Sequence, residues 1–209
     1  MTYPPPYYTD DDPGFALRLA AEHPFALLVA DGLEATHLPL LRREGPAGGL
    51  EGGMLLGHVS RGNPIAARLE AGCDALAVFS GPHAYVSARL YDDPAANVPT
   101  WNYAAVQARG RLRAMPDAEL PAHLAELADT FEGPDGWSVG DAPDYVAAIA
   151  RGIVGVVLDI ESVRAFRKMS ANKPPAIRKR IIDAARADGE HAFADEMARS
   201  EMAQSRETR

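Results

Sequence analysis

Short apolar runs separated by turn-forming residues cover the chain up to about residue 163, a pattern typical of β-strands. The run Phe25–Ala30 predicts the first strand, and the Asp31-Gly32 turn returns the chain as a hairpin over residues 33–41. Further strands are predicted over residues 54–59, 74–80, 85–90, 100–113 and 152–163.

Glycine and proline modify this pattern at three places. Gly81-Pro82 predicts a turn between two strands, and Gly110 predicts a bulge or bend within a long strand. Pro39 has no N–H to donate, so we expect it at a sheet edge, at a bulge or at the end of its strand.

Helical patterns lie between and after the strands. Thr9 or Asp10 can cap a first helix, which His23-Pro24 ends because the residue before proline avoids helical backbone. Asn63-Pro64 has the composition of a helix start. Further helices are predicted over residues 65–71, 116–131 and 141–150, and in a tail from residue 176 that breaks at Asp188-Gly189.

About seven strands in hairpin-like succession, with few parallel crossovers, predict a mainly β fold: an antiparallel barrel with peripheral helices. We expect residues 1–170 to form this domain and residues 171–209 to form a helical C-terminal extension. Residues 1–8 are expected to be extended, and residues 204–209 to be disordered.

Charge and cysteine content narrow the function classes. A net charge of -8 argues against a general nucleic-acid binder, although the basic run from Arg164 to Arg180 is either a solvated face or a local contact to nucleic acid. The single cysteine, Cys73, allows no intrachain disulfide. Without a membrane span or a signal peptide in the sequence, a cytoplasmic protein with no membrane contact is the default expectation.

A polar cluster precedes the predicted helix start at Asn63. His58, Ser60, Arg61 and Asn63 supply an imidazole, a hydroxyl, a guanidinium and an amide, which together can bind an anion such as phosphate. The alternative is a capped turn with a surface arginine. His37 would face the same region if its strand lies beside the His58 strand, and otherwise it is a structural histidine.

Aromatic and polar residues alternate over residues 79–87 and 101–103. Such residues are usually core, but interleaved polar groups such as Ser80, Ser87 and Asn102 are unfavourable in a dry core and favour a pocket for a flat ligand. No metal site is predicted, because His37, His58 and His83 have no acidic partner at ligand spacing.

Five motifs resemble the PaiB family of FMN-binding negative transcriptional regulators, in that family's order and spacing. They read HPFA at residues 23–26, ATHLPL at 35–40, GHVSRGNP at 57–64, FSGPHAYVS at 79–87 and PTWNY at 99–103. The resemblance runs from about residue 3 to residue 172. It implies a split β-barrel of the FMN-binding type, similar to pyridoxamine-phosphate oxidases and flavin reductases, in which two subunits pair and FMN lies at their interface.

The resemblance also implies which residues contact the cofactor. The strand at residues 35–40 would run beside the isoalloxazine ring, and Ser60, Arg61 and Asn63 would lie near the phosphate. The implied cofactor-binding residues are Thr36, His37, Leu38, Pro39, His58, Ser60, Arg61, Asn63, Tyr85, Ser87, Trp101, Asn102, Lys168 and Ser170.

Two segments depart from the family pattern. After Ser87 the chain continues with Ala88 to Tyr91, without the family's proline and tryptophan. Near residue 168 the family's tryptophan and glutamine are replaced by Phe166 and Ala171, while Lys168, Ser170 and Asn172 are retained. These changes leave the identity of the cofactor and substrate open.

Three functions remain open from the sequence. The first is a homodimeric FMN-binding protein with an oxidoreductase-type pocket. The second is a regulator of the PaiB type that acts on transcription or protease production through a partner, because the acidic balance argues against direct DNA readout. The third is a binder of haem or another tetrapyrrole, with His37, His58 and His83 as candidate axial ligands.

Overall fold

The computed structural model describes residues 4–207, with side chains described through residue 200. An extended arm was predicted over residues 1–8. Residues 1–3 of that arm lie outside the described part of the chain, and Pro6–Tyr8 forms a short 3-10 turn. Of the predicted disordered end, residues 208 and 209 lie outside the described part, and the backbone is helical to Glu207.

In the described part of the chain, seven antiparallel strands form one sheet. Along the sheet they follow the order β2-β1-β5-β6-β7-β4-β3, so β2 and β3 are its edges. Their bounds are β1 Phe25–Ala30, β2 Glu34–Pro39, β3 Leu41–Arg43, β4 Met54–Ser60, β5 Cys73–Val86, β6 Thr100–Ala114 and β7 Ile153–Lys168.

Within residues 4–207 five α-helices accompany the sheet, so the mainly β class with peripheral helices is confirmed. They are α1 Pro13–Glu22, α2 Leu120–Glu132, α3 Pro143–Ala150, α4 Pro175–Ala187 and α5 His191–Glu207. The tail helices α4 and α5 break at Asp188-Gly189 as predicted. No helix within residues 4–207 is long and apolar enough to cross a bilayer.

The chain divides into two compact units. The first consists of the chain up to residue 15, residues 80–106 and the chain from residue 164 on. The second consists of residues 16–79 and 107–163. The division into residues 1–170 and 171–209 that the sequence suggests stays a prediction.

In the second unit, α2 covers one face of the sheet around β4. Leu56 packs there with Leu41, Met115 and Val157, and Leu127 of α2 lies against them. Adjacent residues of a strand point to opposite faces. Accordingly, a Cβ on Gly57 would lie 2.9 Å from side-chain carbons of Leu38 and Leu40 on the other face.

The predicted turn at Gly81-Pro82 is wrong, because β5 runs without interruption from Cys73 to Val86. Odd-numbered residues are buried up to Gly81, whereas Ala84 and Val86 are the buried positions afterwards. This shift of one residue is what a β-bulge produces, and a bulge accommodates a proline that has no N–H to donate. Of the bulge or bend predicted at Gly110, the bulge is wrong, since burial alternates regularly from Asn102 to Leu112.

Several boundaries also differ from the predictions. The first helix begins at Pro13, where Asp12 rather than Thr9 or Asp10 accepts a hydrogen bond from the Gly14 N–H at 2.9 Å. The hairpin return splits into β2 and β3, and β7 extends to Lys168. Pro39 is the last residue of the edge strand β2, as expected for a residue that cannot donate to the ladder.

Candidate functional site

The turn after β4 is fixed by its own polar side chains. Ser60 Oγ accepts a hydrogen bond from the Gly62 N–H at 3.2 Å, and Asn63 Oδ1 accepts one from the Ile65 N–H at 3.0 Å. Asn63 Nδ2 donates to Thr36 Oγ1 of β2 at 3.3 Å. The structure therefore brings Thr36 next to the turn that holds Ser60 and Asn63, although β2 and β4 are not neighbours in the sheet.

Arg61 extends from the same turn and is exposed. Its Nε donates to the Arg151 carbonyl at 3.0 Å, and its backbone N–H donates to the Gly152 carbonyl at 2.9 Å. The predicted helix that follows is only the five-residue 3-10 segment Pro64–Arg68. An anion at this turn would consequently be bound by side-chain and local backbone donors rather than by a helix dipole.

The remaining candidates of β2 lie on the sheet edge. His37 is exposed and stacks on Phe25, with ring centroids 5.8 Å apart and an interplanar angle of 23°. Leu38 is buried and Pro39 is partly buried. His37 of the edge strand β2 and Phe25 of the neighbouring strand β1 thus present their rings to the surroundings, whereas Leu38 belongs to the core.

His58 lies on the α2 face of β4, not with the turn that binds Thr36. Its ring meets the ring of His123 edge to face, with centroids 5.8 Å apart. His58 Nδ1 and both ring nitrogens of His123 are buried without a hydrogen-bond partner in the described part of the chain. The His58 ring therefore packs against α2 rather than at the turn of Ser60, Arg61 and Asn63, and its part in cofactor binding stays a prediction.

Burial keeps this histidine pair neutral. It lowers the pKa of His58, and it lowers the pKa of His123 to about 4, with the neighbouring His58 adding to the effect on His123. Nearby Glu126 opposes that decrease, and Arg43, which pairs with Glu126, adds to it. At neutral pH neither imidazole therefore contributes a positive charge.

In the first unit, Asn102 and Ser170 form a buried pair. Asn102 is 1% exposed, and its Nδ2 donates to Ser170 Oγ at 2.8 Å. Burial raises the pKa of neighbouring Tyr91, while its hydrogen bond with Ser170 opposes the increase. Ser170 has a φ of 55°, which is uncommon for a residue other than glycine.

Lys168 and Ser87 have local partners in the same unit. Lys168 Nζ donates to Thr100 Oγ1 at 2.7 Å and lies 5.1 Å from the Tyr8 ring centroid, and partial burial lowers the pKa of this lysine. Ser87 Oγ accepts a hydrogen bond from the Arg89 N–H at 3.2 Å. Both side chains thus already have defined contacts within the chain.

Tyr85 and Trp101 form an exposed aromatic pair at the surface of the first unit. Each is 57% exposed, and their rings meet edge to face with centroids 6.0 Å apart. His83 lies 6.1 Å from Trp101, and its Nδ1 is 3.2 Å from the Gly81 carbonyl oxygen. Exposed aromatic side chains grouped in this way mark a surface suited to a flat ligand or a partner.

The candidate axial histidines each have separate neighbours: Phe25 for His37, His123 for His58 and Trp101 for His83. No group of three or more histidine, cysteine, aspartate or glutamate side chains within the described residues could hold a metal ion.

The basic run at residues 164–180 is largely paired within its unit. Arg167 lies 2.8 Å from Asp10 and 3.2 Å from Glu196, Lys179 pairs with Asp183 at 2.6 Å, and Arg180 pairs with Asp92. These pairings favour the solvated-face interpretation of the run.

The two segments that depart from the family pattern have defined structures. Ala88–Leu90 forms a 3-10 turn after Ser87, and Tyr91 behind it is buried. Phe166 is buried and lies 6.4 Å from the Tyr103 ring.

Sequence analysis missed Tyr91 and His123 as partners of the candidate residues. The available signal for His123 was its position on the apolar stripe of α2, between Leu120 and Leu127.

Comparison with known proteins assigns the family. The model of the family described as "Putative FMN-binding domain" matches residues 2–162. Protease synthase and sporulation protein PAI 2 of Bacillus subtilis is 33% identical over 153 residues, covering 71% of this chain and 70% of that protein.

Solved structures show the same fold at low sequence identity. The flavocytochrome Anf3 of Azotobacter vinelandii has a TM-score of 0.61 at 16% identity, over 77% of this chain and 69% of that chain. An FAD and heme binding protein of Mycobacterium smegmatis has a TM-score of 0.52 at 18% identity, over 77% and 72% of the two chains. This chain belongs to the PaiB-like family of FMN-binding split-barrel proteins, whose cofactor is FMN.

Proposed function

We propose that this protein is a homodimeric flavoprotein that binds the FMN phosphate at the turn Ser60–Asn63 and uses the flavin for redox chemistry. The observation that carries the proposal is the hydrogen bond from Asn63 to Thr36, which ties this turn to the edge strand β2. A polar turn fixed in this way is preorganised, so little entropy is lost when an anion binds.

The donor set of the turn suits a phosphate group. The Arg61 guanidinium carries several N–H donors and a full positive charge, and the Ser60 and Thr36 hydroxyls add shorter-range donors. Two of these groups are already oriented, since Arg61 is fixed by the Arg151 carbonyl and Thr36 by Asn63. The residues present therefore fit the anionic end of FMN.

Exposed aromatic side chains support two parts of the proposal, the binding of the isoalloxazine ring and the formation of a dimer. Phe25 is 66% exposed beside His37 in the second unit, and Tyr85 and Trp101 are exposed in the first. Large exposed apolar side chains grouped on a soluble protein are typical of ligand and protein interfaces. Burial by an isoalloxazine ring and by a second subunit would remove them from water.

When bound, FMN supplies hydride and single-electron transfer. The chain's part is to hold the phosphate with Arg61 and to place polar side chains such as Thr36 and His37 along the edge strand. A FMN titration of the full chain, followed by flavin fluorescence, tests the site. We expect Arg61→Ala to weaken binding by about 1.5–3 kcal/mol, the range for a charge-assisted hydrogen bond.

Arg68→Ala is the matched control, because Arg68 belongs to the same turn region but pairs with Glu34 at 3.8 Å. Its FMN affinity should equal that of the wild type. If folded Arg61→Ala protein binds FMN as tightly as the wild type, the phosphate does not bind at this turn. Light scattering on the FMN-saturated protein tests the dimer, and a monomer at micromolar concentration would contradict it.

A regulatory role is the second candidate, because the relative PAI 2 is 33% identical and its name refers to protease synthesis and sporulation. Internal pairing of the basic run argues that such a role would act through a partner rather than through DNA. Duplex DNA should therefore not be retained at physiological salt. Salt-dependent retention that is lost in Arg164→Ala would favour direct regulation instead.

A further inference from the structure

A cavity of about 390 Å³ opens in the second unit beneath α2 and α3. This volume lies within the range of about 300–1,000 Å³ that small-molecule sites occupy. Its walls are mainly apolar side chains, several of them aromatic or half-exposed at the mouth, including Leu127, Phe131, Trp137, Val146 and Ile149. None of the residues of the proposed phosphate turn lines it.

His58 is one of the polar residues that line the cavity. Its Nδ1 is buried without a hydrogen-bond partner in the described part of the chain, and His123, 95% buried behind it, has two such nitrogens. A ligand in the cavity cannot reach the buried Nδ1, so the atom of the His58 ring that is available to accept a hydrogen bond from it is Nε2.

The charge of the lining selects among ligands. Glu132 is the acidic residue of the lining, and neither lysine nor arginine contributes to it among the described residues. His58 does not supply a compensating positive charge, because burial lowers its pKa. An anion would therefore meet apolar walls and a carboxylate, whereas an uncharged or weakly basic group would not be repelled.

We propose that this cavity is a second binding site, separate from the flavin phosphate turn, for an uncharged or weakly basic aromatic amine. The aromatic ring system packs against Phe131 and Trp137, and an N–H of the ligand hydrogen-bonds to the His58 imidazole. Glu132 at the rim favours a basic nitrogen and disfavours a carboxylate, sulfonate or phosphate.

Two probes that share one skeleton test the charge selection. N-phenyl-1-naphthylamine is uncharged, and 8-anilinonaphthalene-1-sulfonate carries the same rings with an added sulfonate. Equilibrium dialysis with the full chain, with and without saturating FMN, should show the amine binding at least about tenfold more tightly. Amine binding that does not change when FMN is bound would place the probe outside the flavin site. This conclusion does not depend on where the flavin phosphate lies.

Substitutions locate the probe. Ala128 lines the cavity, and Ala128→Phe should reduce amine binding at least about tenfold by filling the space. Ala148→Phe is the matched control on the exposed side of α3 and should leave binding unchanged. If Ala128→Phe does not fold, exposed Glu132→Gln serves instead, since it should bring the two probes closer in affinity.

Three results would overturn the proposal. Equal affinity for both probes would exclude the charge selection, and unchanged amine binding in folded Ala128→Phe would place the probe elsewhere. If haemin binds and the absorption spectrum of the bound haemin is lost in His58→Leu, the cavity is a tetrapyrrole site instead.

Discussion

Asn63 Nδ2 lies 3.3 Å from Thr36 Oγ1, and this hydrogen bond joins the turn after β4 to the outermost strand of the sheet. The two residues are far apart in sequence but both belong to motifs shared with the PaiB-like family. Asn63 also caps the following 3-10 segment through its Oδ1. A single amide therefore fixes both the start of that segment and its distance from the edge strand.

Thr36→Val should weaken FMN binding at least about three- to tenfold, because valine keeps the shape but removes both the acceptor for Asn63 and a hydroxyl donor for the phosphate. Flavin fluorescence titration measures the change. Thr130→Val is the control, since the exposed Thr130 hydroxyl donates only to the Glu126 carbonyl within α2. If the dissociation constant for FMN is unchanged in folded Thr36→Val protein, the hydrogen bond between Asn63 and Thr36 is not required for FMN binding.

Ser170→Ala should be less stable than Ser170→Gly by about 1 kcal/mol. Both variants lose the hydrogen bond from Asn102, but only glycine adopts the observed φ of 55° without strain. Chemical denaturation of the two variants and the wild type measures the difference. Equal losses of stability would show that the backbone conformation of Ser170 relaxes freely.

The free energy of unfolding should fall as pH decreases from about 6.5 towards 4. Burial lowers the pKa of His123 from 6.5 to about 4, so the unfolded chain binds more protons than the folded chain within this window. The loss attributable to His123 is at most about 3 kcal/mol. Denaturation curves at pH 5 and pH 7 measure it.

His123→Leu should flatten this pH dependence and stabilise the protein at pH 5 relative to the wild type. Leucine fills the site without a proton to bind and without unpaired nitrogens. His191→Gln is the control, because His191 is exposed at the start of α5. A slope that persists unchanged in His123→Leu would assign the effect to other groups.

Gly110→Ala should prevent folding or cost more than about 3 kcal/mol. A Cβ at this position would overlap the Asp159 carbonyl oxygen, and this obstructing atom is backbone. Gly140→Ala is the control, since its nearest neighbour would be the Ser138 hydroxyl at 3.4 Å. Circular dichroism and thermal melting distinguish the two, and a folded Gly110→Ala protein that is as stable as Gly140→Ala would contradict the close approach.

Local patterns predicted the elements whose signals are confined to neighbouring residues. The bounds of β1 match because an apolar run there ends directly at Asp31-Gly32, and Gly32 adopts the positive φ that such a turn requires. The end of α1 before His23-Pro24 follows from proline's steric effect on the preceding residue. Neither required knowledge of the rest of the sheet.

Other features depended on contacts between distant residues. Gly81-Pro82 reads locally as a turn, but a bulge allows β5 to continue through it. His58 lies beside Ser60 and Asn63 in the sequence, yet strand alternation and the position of α2 place its ring against His123. Family resemblance identified the fold and the cofactor but could not indicate this pair.

Cys73, at the start of β5, is 6% exposed and is the single thiol of the sequence. A thiol-reactive reagent can therefore modify the chain at one position, and only when that part of the strand opens. The rate of modification would report how often β5 separates from its neighbours, without any engineered label. Added FMN or an amine probe would slow the reaction to the extent that it holds the strand closed.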